Sequence, residues 1–240
     1  GFFQDYWHHV SIYNLEGAQG LKNFLFTDSR PFAALIYSFL FSILSVNPTH
    51  WHIYLFVVRF LVALMAWLSL NQLWGRPKAN ALIACLFLVY PTFLLQPMAV
   101  AYALHWSMYL VFMLSIFCML AAQRNPRYFV LLSALSLLLQ AFHLLMIEYF
   151  VGLELARVVL LWLTIADQPW RARLRKTILR WLPYLLLLIG YVAFRSSYAQ
   201  IFGYDRNTPD ILLGLFSTPL QTLRFLAQSG LQDITEILFT

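Results

Sequence analysis

Read as apolar and polar positions, the chain is a succession of long oily runs separated by short polar breaks. Apolar runs of about 20 residues match a membrane-spanning helix and are far longer than ordinary strands, so the pattern predicts helices. Six runs qualify: His52 to Trp74, Ala79 to Leu95, Met98 to Ala122, Tyr128 to Glu148, Tyr149 to Ala166 if Gly152 begins a turn, and Trp181 to Ser197. Ahead of them, Pro31 to Ser45 is apolar, with Pro in the first turn, where a missing N–H is no loss. Its fifteen residues would reach only about 22 Å, short of the roughly 30 Å hydrocarbon core, so it is expected to lie in the interface. From Tyr198 the pattern is mixed: a polar stretch with Asp205, Arg206 and Asp210, then an amphipathic segment interrupted by Pro219 and Gly230. The expected organisation is an extracytoplasmic, interfacial segment over 1–51 and a bundle of about six spans over 52–197. A terminal loop and amphipathic segment over 198–240 would lead toward a further helix.

Composition turns that pattern into a class. Hydrophobic residues make up 61% of the chain and charged residues 11%, against roughly 45–50% and 25% in soluble domains. The expectation is an all-α, polytopic membrane helix bundle with membrane lipid around it and little chain left for a soluble domain. The net charge of +6 resides largely in short breaks between helices, where Lys and Arg orient a membrane protein, so nucleic acid is excluded as a partner. Cys85 and Cys118 lie inside apolar runs without CxxC or metal-type spacing, and read as small core residues. The opening Gly1-Phe2-Phe3-Gln4 has no initiator Met and no basic start with a cleavage site. It reads as processed or incomplete, with a membrane helix expected before it.

Charge then sets the orientation. Arg76 and Lys78, Arg124 and Arg127, and the run Arg171, Arg173, Arg175, Lys176 and Arg180 occupy every second break, whereas Val46 to Trp51 and Tyr90 to Pro97 carry no Lys or Arg. Basic loops stay cytoplasmic, so the others, and Asp5 with them, are expected outside a plasma (inner) membrane crossed several times. On this reading all six histidines fall in the outer half: His8, His9, His50 and His52 before or at the first span, His105 and His143 about 8 to 12 Å inside their helices. Arg59 enters from the same side and Glu148 ends its helix there, while Glu154 and Arg157 are spaced to pair on one helix. Ionisable groups inside spans are costly and line cavities or pair, so a polar cleft open to the outside is predicted.

Plainer readings stand beside these. His105 and His143 can simply hydrogen-bond a neighbouring helix. Arg59 and Arg157 can be structural partners of Glu148 and Glu154. The Arg171 to Arg180 run orients the chain and meets lipid headgroups. Asp5 and Arg30 are harder to dismiss, because they frame one outer segment with few other charges.

From Gly1 to about Leu73 the order is an Asp near a membrane boundary, a polar stretch, Asp28-Ser29-Arg30-Pro31 and a short apolar helix, then Asn47-Pro48 and a long helix bearing Arg59. That order resembles the GT-C membrane glycosyltransferases, with protein O-mannosyltransferases and lipid A aminoarabinose transferases the nearest relatives. The resemblance implies a GT-C-like fold, a polyprenyl-phosphate sugar donor, and an acidic residue in the first extracytoplasmic loop as general base, here Asp5. It also implies that the basic residue before Pro, here Arg30, contacts the lipid-linked phosphate. Many members have two adjacent acids where this chain has Asp5-Tyr6, and Lys with a second Pro where it has Arg30-Pro31-Phe32. A partial or degenerate member is the alternative that these departures open.

The residues suit that chemistry. Glycosyl transfer needs a carboxylate to take the acceptor's proton and cations to hold the departing phosphate. Asp5 fits the first task. Arg30, with Arg59 as a further candidate, fits the second. His8 and His9 could orient the acceptor or bind a divalent metal with Asp5, but adjacent histidines are poor joint ligands, so no metal and no cofactor are expected. Two alternatives remain. His105 and His143, at similar depth on successive antiparallel helices, have the placement a haem or chlorophyll-type pigment needs, although bulky Leu104, Trp106, Phe142 and Leu144 flank them. The other is a non-catalytic accessory or scaffold subunit, working with other membrane subunits in a larger complex.

Overall fold

The computed structural model describes residues 6–27, 32–89, 98–166, 168–202 and 217–239. Among them every regular element is helical. Compact units cover Gly1–Ala193 and Phe194–Thr240. The first contains α1 (Tyr6–Thr27), α2 (Ala33–Leu44), α3 (Pro48–Leu73), α4 (Pro77–Val89), α5 (Ala99–Arg124), α6 (Phe129–Met146), α7 (Ala156–Thr164) and most of α8 (Trp170–Phe202). The second contains the end of α8 and α9 (Pro219–Phe239).

Among the described residues, four helical stretches are long and apolar enough to cross a membrane: Pro48–Leu73, Ala99–Arg124, Pro126–Met146 and Trp170–Arg195. The protein is thus a membrane-embedded helix bundle. The sequence pattern predicts six spans, and one of its runs is broken up in the structure. Of the run from Ala79 to Leu95, the described part lies in the 13-residue α4, Pro77–Val89, and residues 90–95 lie outside the described residues. The run from Tyr149 breaks into two 3₁₀ turns, Glu148–Phe150 and Gly152–Leu155, and the nine-residue α7. Conversely, α8 starts at Trp170, so the basic run from Arg171 to Arg180 is helix rather than loop. Pro219 opens α9 instead of interrupting it, in keeping with the place a helix gives Pro in its first turn.

The hub is α5. Of its most apolar window, 56% is buried inside the protein, against 28% for α3 and for the α6 stretch and 11% for α8. Val100, Ala103, Leu104, Met108, Phe112, Ser115, Ile116, Met119 and Leu120 recur at three- and four-residue steps and are all buried. The outward positions of the other helices, such as Phe56 and Phe60 on α3 and Leu131 and Leu138 on α6, are exposed and apolar, as a face turned to lipid requires.

At one end of this hub sit α1 and α2. With 12 residues, α2 is about 18 Å long and cannot span. Its Ala33, Ala34, Tyr37, Leu40 and Phe41 are buried, as are Val10, Leu21 and Leu25 of α1, in one core with Trp51, Leu55 and the first turns of α5. Tyr13 stacks on Phe41 at 4.5 Å, and Phe41 lies 4.6 Å from Trp51. The turn into α3 is held from both sides: Trp51 Nε1 donates to Ser45 O at 2.8 Å, and Asn47 caps α3 by accepting from Thr49 N–H at 3.0 Å, with Pro48 at the helix start. Within α1 the helix bends at Gly17, whose φ of 66° favours glycine. One turn on, a Cβ at Gly20 would run into the Glu16 side chain.

Candidate functional site

Two polar clusters lie in the bundle, and both are built around α5. The first surrounds its opening turns. His9, half-buried on α1, meets Phe24 edge-on at 5.6 Å and Tyr37 of α2 at 5.0 Å. Tyr37 OH donates to Ala101 O at 3.1 Å, and His105 Nδ1 lies 3.0 Å from the same carbonyl. The His105 ring stacks on Tyr149 at 5.2 Å and lies 5.1 Å from Tyr102. A helix turn further, Tyr54 OH and Ser107 Oγ share a 2.7 Å hydrogen bond. Arg59 of α3 places its guanidinium 5.1 Å from the Trp106 ring centre and donates to Leu88 O of α4 at 3.4 Å.

Of the residues singled out in the sequence, this cluster gathers His9, Arg59 and His105. His8 is exposed on α1. Asp5 and Arg30 lie outside the described residues; in the chain they directly precede α1 and closely precede α2. Among the described residues no group of three or more His, Cys, Asp or Glu is placed to hold a metal ion.

His143 belongs to a second, deeper cluster. Glu154, in the 3₁₀ turn before α7, takes a forked pair of hydrogen bonds from Arg157, whose Nε donates to Oε2 and whose Nη2 donates to Oε1 at 3.1 Å. Gln140 Nε2 donates to Glu154 Oε2 at 2.7 Å and to Tyr184 O at 3.2 Å. Arg157 Nη2 also donates to Ser115 Oγ at 2.9 Å, and its guanidinium lies 5.0 Å from the Tyr184 ring centre and 5.6 Å from that of Phe112. His143 Nε2 stands 3.1 Å from Glu154 Oε1, at ion-pair distance but without the alignment of a hydrogen bond, and Nδ1 has no partner among the described residues. The ring is edge-on to Phe112 and Phe150. Nearby, Ser115 and Ser136 bond reciprocally, each hydroxyl donating to the other's carbonyl at 2.7 Å, which draws α5 and α6 together.

The spacing of Glu154 and Arg157 announces their pairing. Gln140, Ser115, Ser136 and Tyr184 were not singled out, yet Ser136, Gln140 and His143 form a polar stripe at helical spacing on one face of an otherwise apolar helix. That stripe was legible. Glu154 is 1% exposed and Arg157 and His143 are 0% exposed, so this cluster offers an outside substrate no access. It is a positioning device: it fixes the broken stretch 148–157 against α5, α6 and α8. The shallower cluster, with its guanidinium, imidazoles and aromatic faces, is the better candidate for ligand chemistry. Cation and aromatic together suit a phosphate-bearing, partly apolar ligand.

Fold and clusters together define a polytopic helical membrane protein with a buried charge pair. Residues 2–232 match the family described as a domain of unknown function, DUF6311, and the chain belongs to that family. No curated protein and no solved structure matches it.

Proposed function

We propose that this protein is an integral membrane glycosyltransferase that moves a sugar from a polyprenyl-phosphate donor to an acceptor on the extracytoplasmic side of the plasma (inner) membrane. The observation that carries the reading is the docking of α1 and α2 on the opening turns of α5, beside Arg59 and His105. It supports the reading because α1 follows Asp5 in the chain and α2 follows Arg30-Pro31, and both helices pack at the same end of α5. In the reaction the acceptor hydroxyl oxygen attacks the anomeric carbon and its proton passes to the Asp5 carboxylate. The bond from anomeric carbon to phosphate oxygen breaks, and its electron pair leaves with the polyprenyl phosphate, held by Arg30 with Arg59 as a further cation. His9 and the tyrosines near it would orient the acceptor.

Transfer assayed with a polyprenyl-phosphate sugar tests this. Asp5→Asn keeps the shape of the side chain and loses its basicity, so turnover should fall about 10²- to 10⁴-fold while donor binding survives. Arg30→Ala should lower both apparent donor affinity and turnover, because the guanidinium contacts phosphate before and during transfer. An Asp5→Asn protein keeping more than about a third of the parent's turnover removes Asp5 from the mechanism. A parent that transfers no sugar from any such donor hands the chain to the scaffold reading.

A further inference from the structure

At the opposite, basic end of the bundle the cations divide into two kinds. Arg124 is engaged with backbone: Nε and Nη2 donate to Gln72 O, near the C-terminus of α3, at 2.9 and 2.6 Å. So is Arg173, which donates twice to Trp162 O, at 3.0 and 2.8 Å, near the end of α7, with its guanidinium 4.1 Å from the Trp162 ring centre. Both bind carbonyls in the last turns of helices, where Lys and Arg side chains are favoured.

Lys176 and Arg180 do neither. They lie one turn apart on α8 and line a pocket of about 120 Å³ whose other walls are Gln123, Thr164, Ile165 and Gln168. Arg180 rests over the Phe129 ring at 4.8 Å, but among the described residues neither cation has a hydrogen-bond or ion-pair partner. Among the described residues no carboxylate lines the pocket; Asp167, between the lining residues Ile165 and Gln168 in the chain, lies outside the described residues. Inside the protein, Gln123 Oε1 is buried without a partner while its Nε2 donates to Met119 O at 3.3 Å. Two like charges one turn apart repel, and here nothing described neutralises them. The carboxyl ends of α5 and α7 close by attract cations, yet Lys176 and Arg180 bond to no carbonyl among the described residues, unlike Arg124 and Arg173. The volume is several times the ~30 Å³ share of one water, enough for a phosphate group.

We propose that this pocket binds a phosphate group, with Lys176 and Arg180 as its cations and the Gln123 and Gln168 amides as polar walls. An anionic lipid headgroup in the adjacent leaflet and a soluble phosphate share that chemistry, and basic pockets between membrane helices are known sites for the first. The site is separate from the sugar-transfer cluster, so its test does not depend on activity.

The test titrates short-chain phosphatidylglycerol, short-chain phosphatidylcholine or inorganic phosphate into the solubilised full chain and reads affinity and the thermal midpoint. Phosphatidylglycerol should bind the parent and raise its midpoint. K176Q/R180Q should bind roughly 10- to 30-fold more weakly, since each cation near the surface contributes about a factor of five. The matched pair R171Q/R175Q, at exposed positions of the same helix outside the pocket, should bind like the parent. Lys176→Gln alone, also at an exposed position, should show about half the logarithmic loss and keeps the test readable if the double variant folds poorly. A pocket-dependent response to inorganic phosphate alone assigns the site to a soluble phosphate; a response to phosphatidylglycerol only assigns it to a headgroup. Equal weakening by K176Q/R180Q and R171Q/R175Q, or no binding of either anion by the parent, overturns the proposal.

Discussion

Arg157 and Glu154 show how little a single charge can be judged by its own residue type. Each alone would be expelled from a membrane interior, and together, with Gln140 donating to Glu154, Ser115 accepting from Arg157 and the Tyr184 ring facing the guanidinium, they are sealed from solvent. Removing one partner leaves a buried charge with nothing opposite, which costs about 3–5 kcal/mol, while removing both with matched apolar volume can be close to neutral. Glu154→Gln and Arg157→Met should therefore each destabilise by about 3–5 kcal/mol. E154Q/R157M should lose much less than the sum of its single changes, measured as a double-mutant cycle on reversible unfolding in detergent. Single losses below about 1 kcal/mol would mean that the pair is not the anchor of this region. The pair itself was legible from a three-residue spacing. Its partners were not assembled, because Ser115, Ser136 and Tyr184 come from other helices and only folding brings them in.

At the scale of the element, length and continuity were the hardest things to read. Apolar composition locates α3, α5 and α6 within a few residues, since nothing interrupts their runs. The turn expected at Gly152 is there, as the 3₁₀ turn Gly152–Leu155, but the helix after it shrinks to the nine-residue α7. Apolar composition places the start of α8 late, because Arg, Lys and Trp after Pro169 favour helix as readily as they favour a cytoplasmic edge. The N-terminal helix α1 is the clearest case: its residues look like a polar loop, and its bend is written only in Gly17. A residue with a Cβ at that φ and ψ stores about 1–3 kcal/mol. Gly17→Ala should lower the unfolding free energy by that amount or loosen α1, read as faster amide exchange across residues 18–27. Unchanged stability and unchanged exchange would show that the bend is not needed to seat Leu21 and Leu25.

For the whole molecule, composition was enough to settle the class, while sidedness rests on loop charge. Lys and Arg at Arg76, Lys78, Arg124, Arg127 and the start of α8 gather at one end, and the turn before α3 has none. With Cys85 and Cys118 replaced by Ala, a Val46→Cys protein in sealed cells should react with a membrane-impermeant thiol reagent and an Arg171→Cys protein should not. The reverse pattern would turn the molecule over and put Asp5 on the cytoplasmic side. Of the residues that the sequence singles out, His9, Arg59 and His105 lie around the opening turns of α5, the end that the charge pattern assigns to the outside, while Asp5 and Arg30 lie outside the described residues. That His143 parts company with them depends on Glu154, which comes after it in the chain.

That order in the chain governs biogenesis. Residues 148–164 carry Glu148, Glu154 and Arg157 among apolar neighbours, and a charge near the centre of a helix costs about 2.5 to 3.5 kcal/mol against entry. By the time the ribosome delivers them, α5 and α6 have been made, and Ser115, Gln140 and His143 can already be waiting in the bilayer. Entry of this stretch is then a docking reaction onto earlier helices rather than a partition into lipid. A chain rearranged to make 148–164 first would strand the same sequence at the membrane surface.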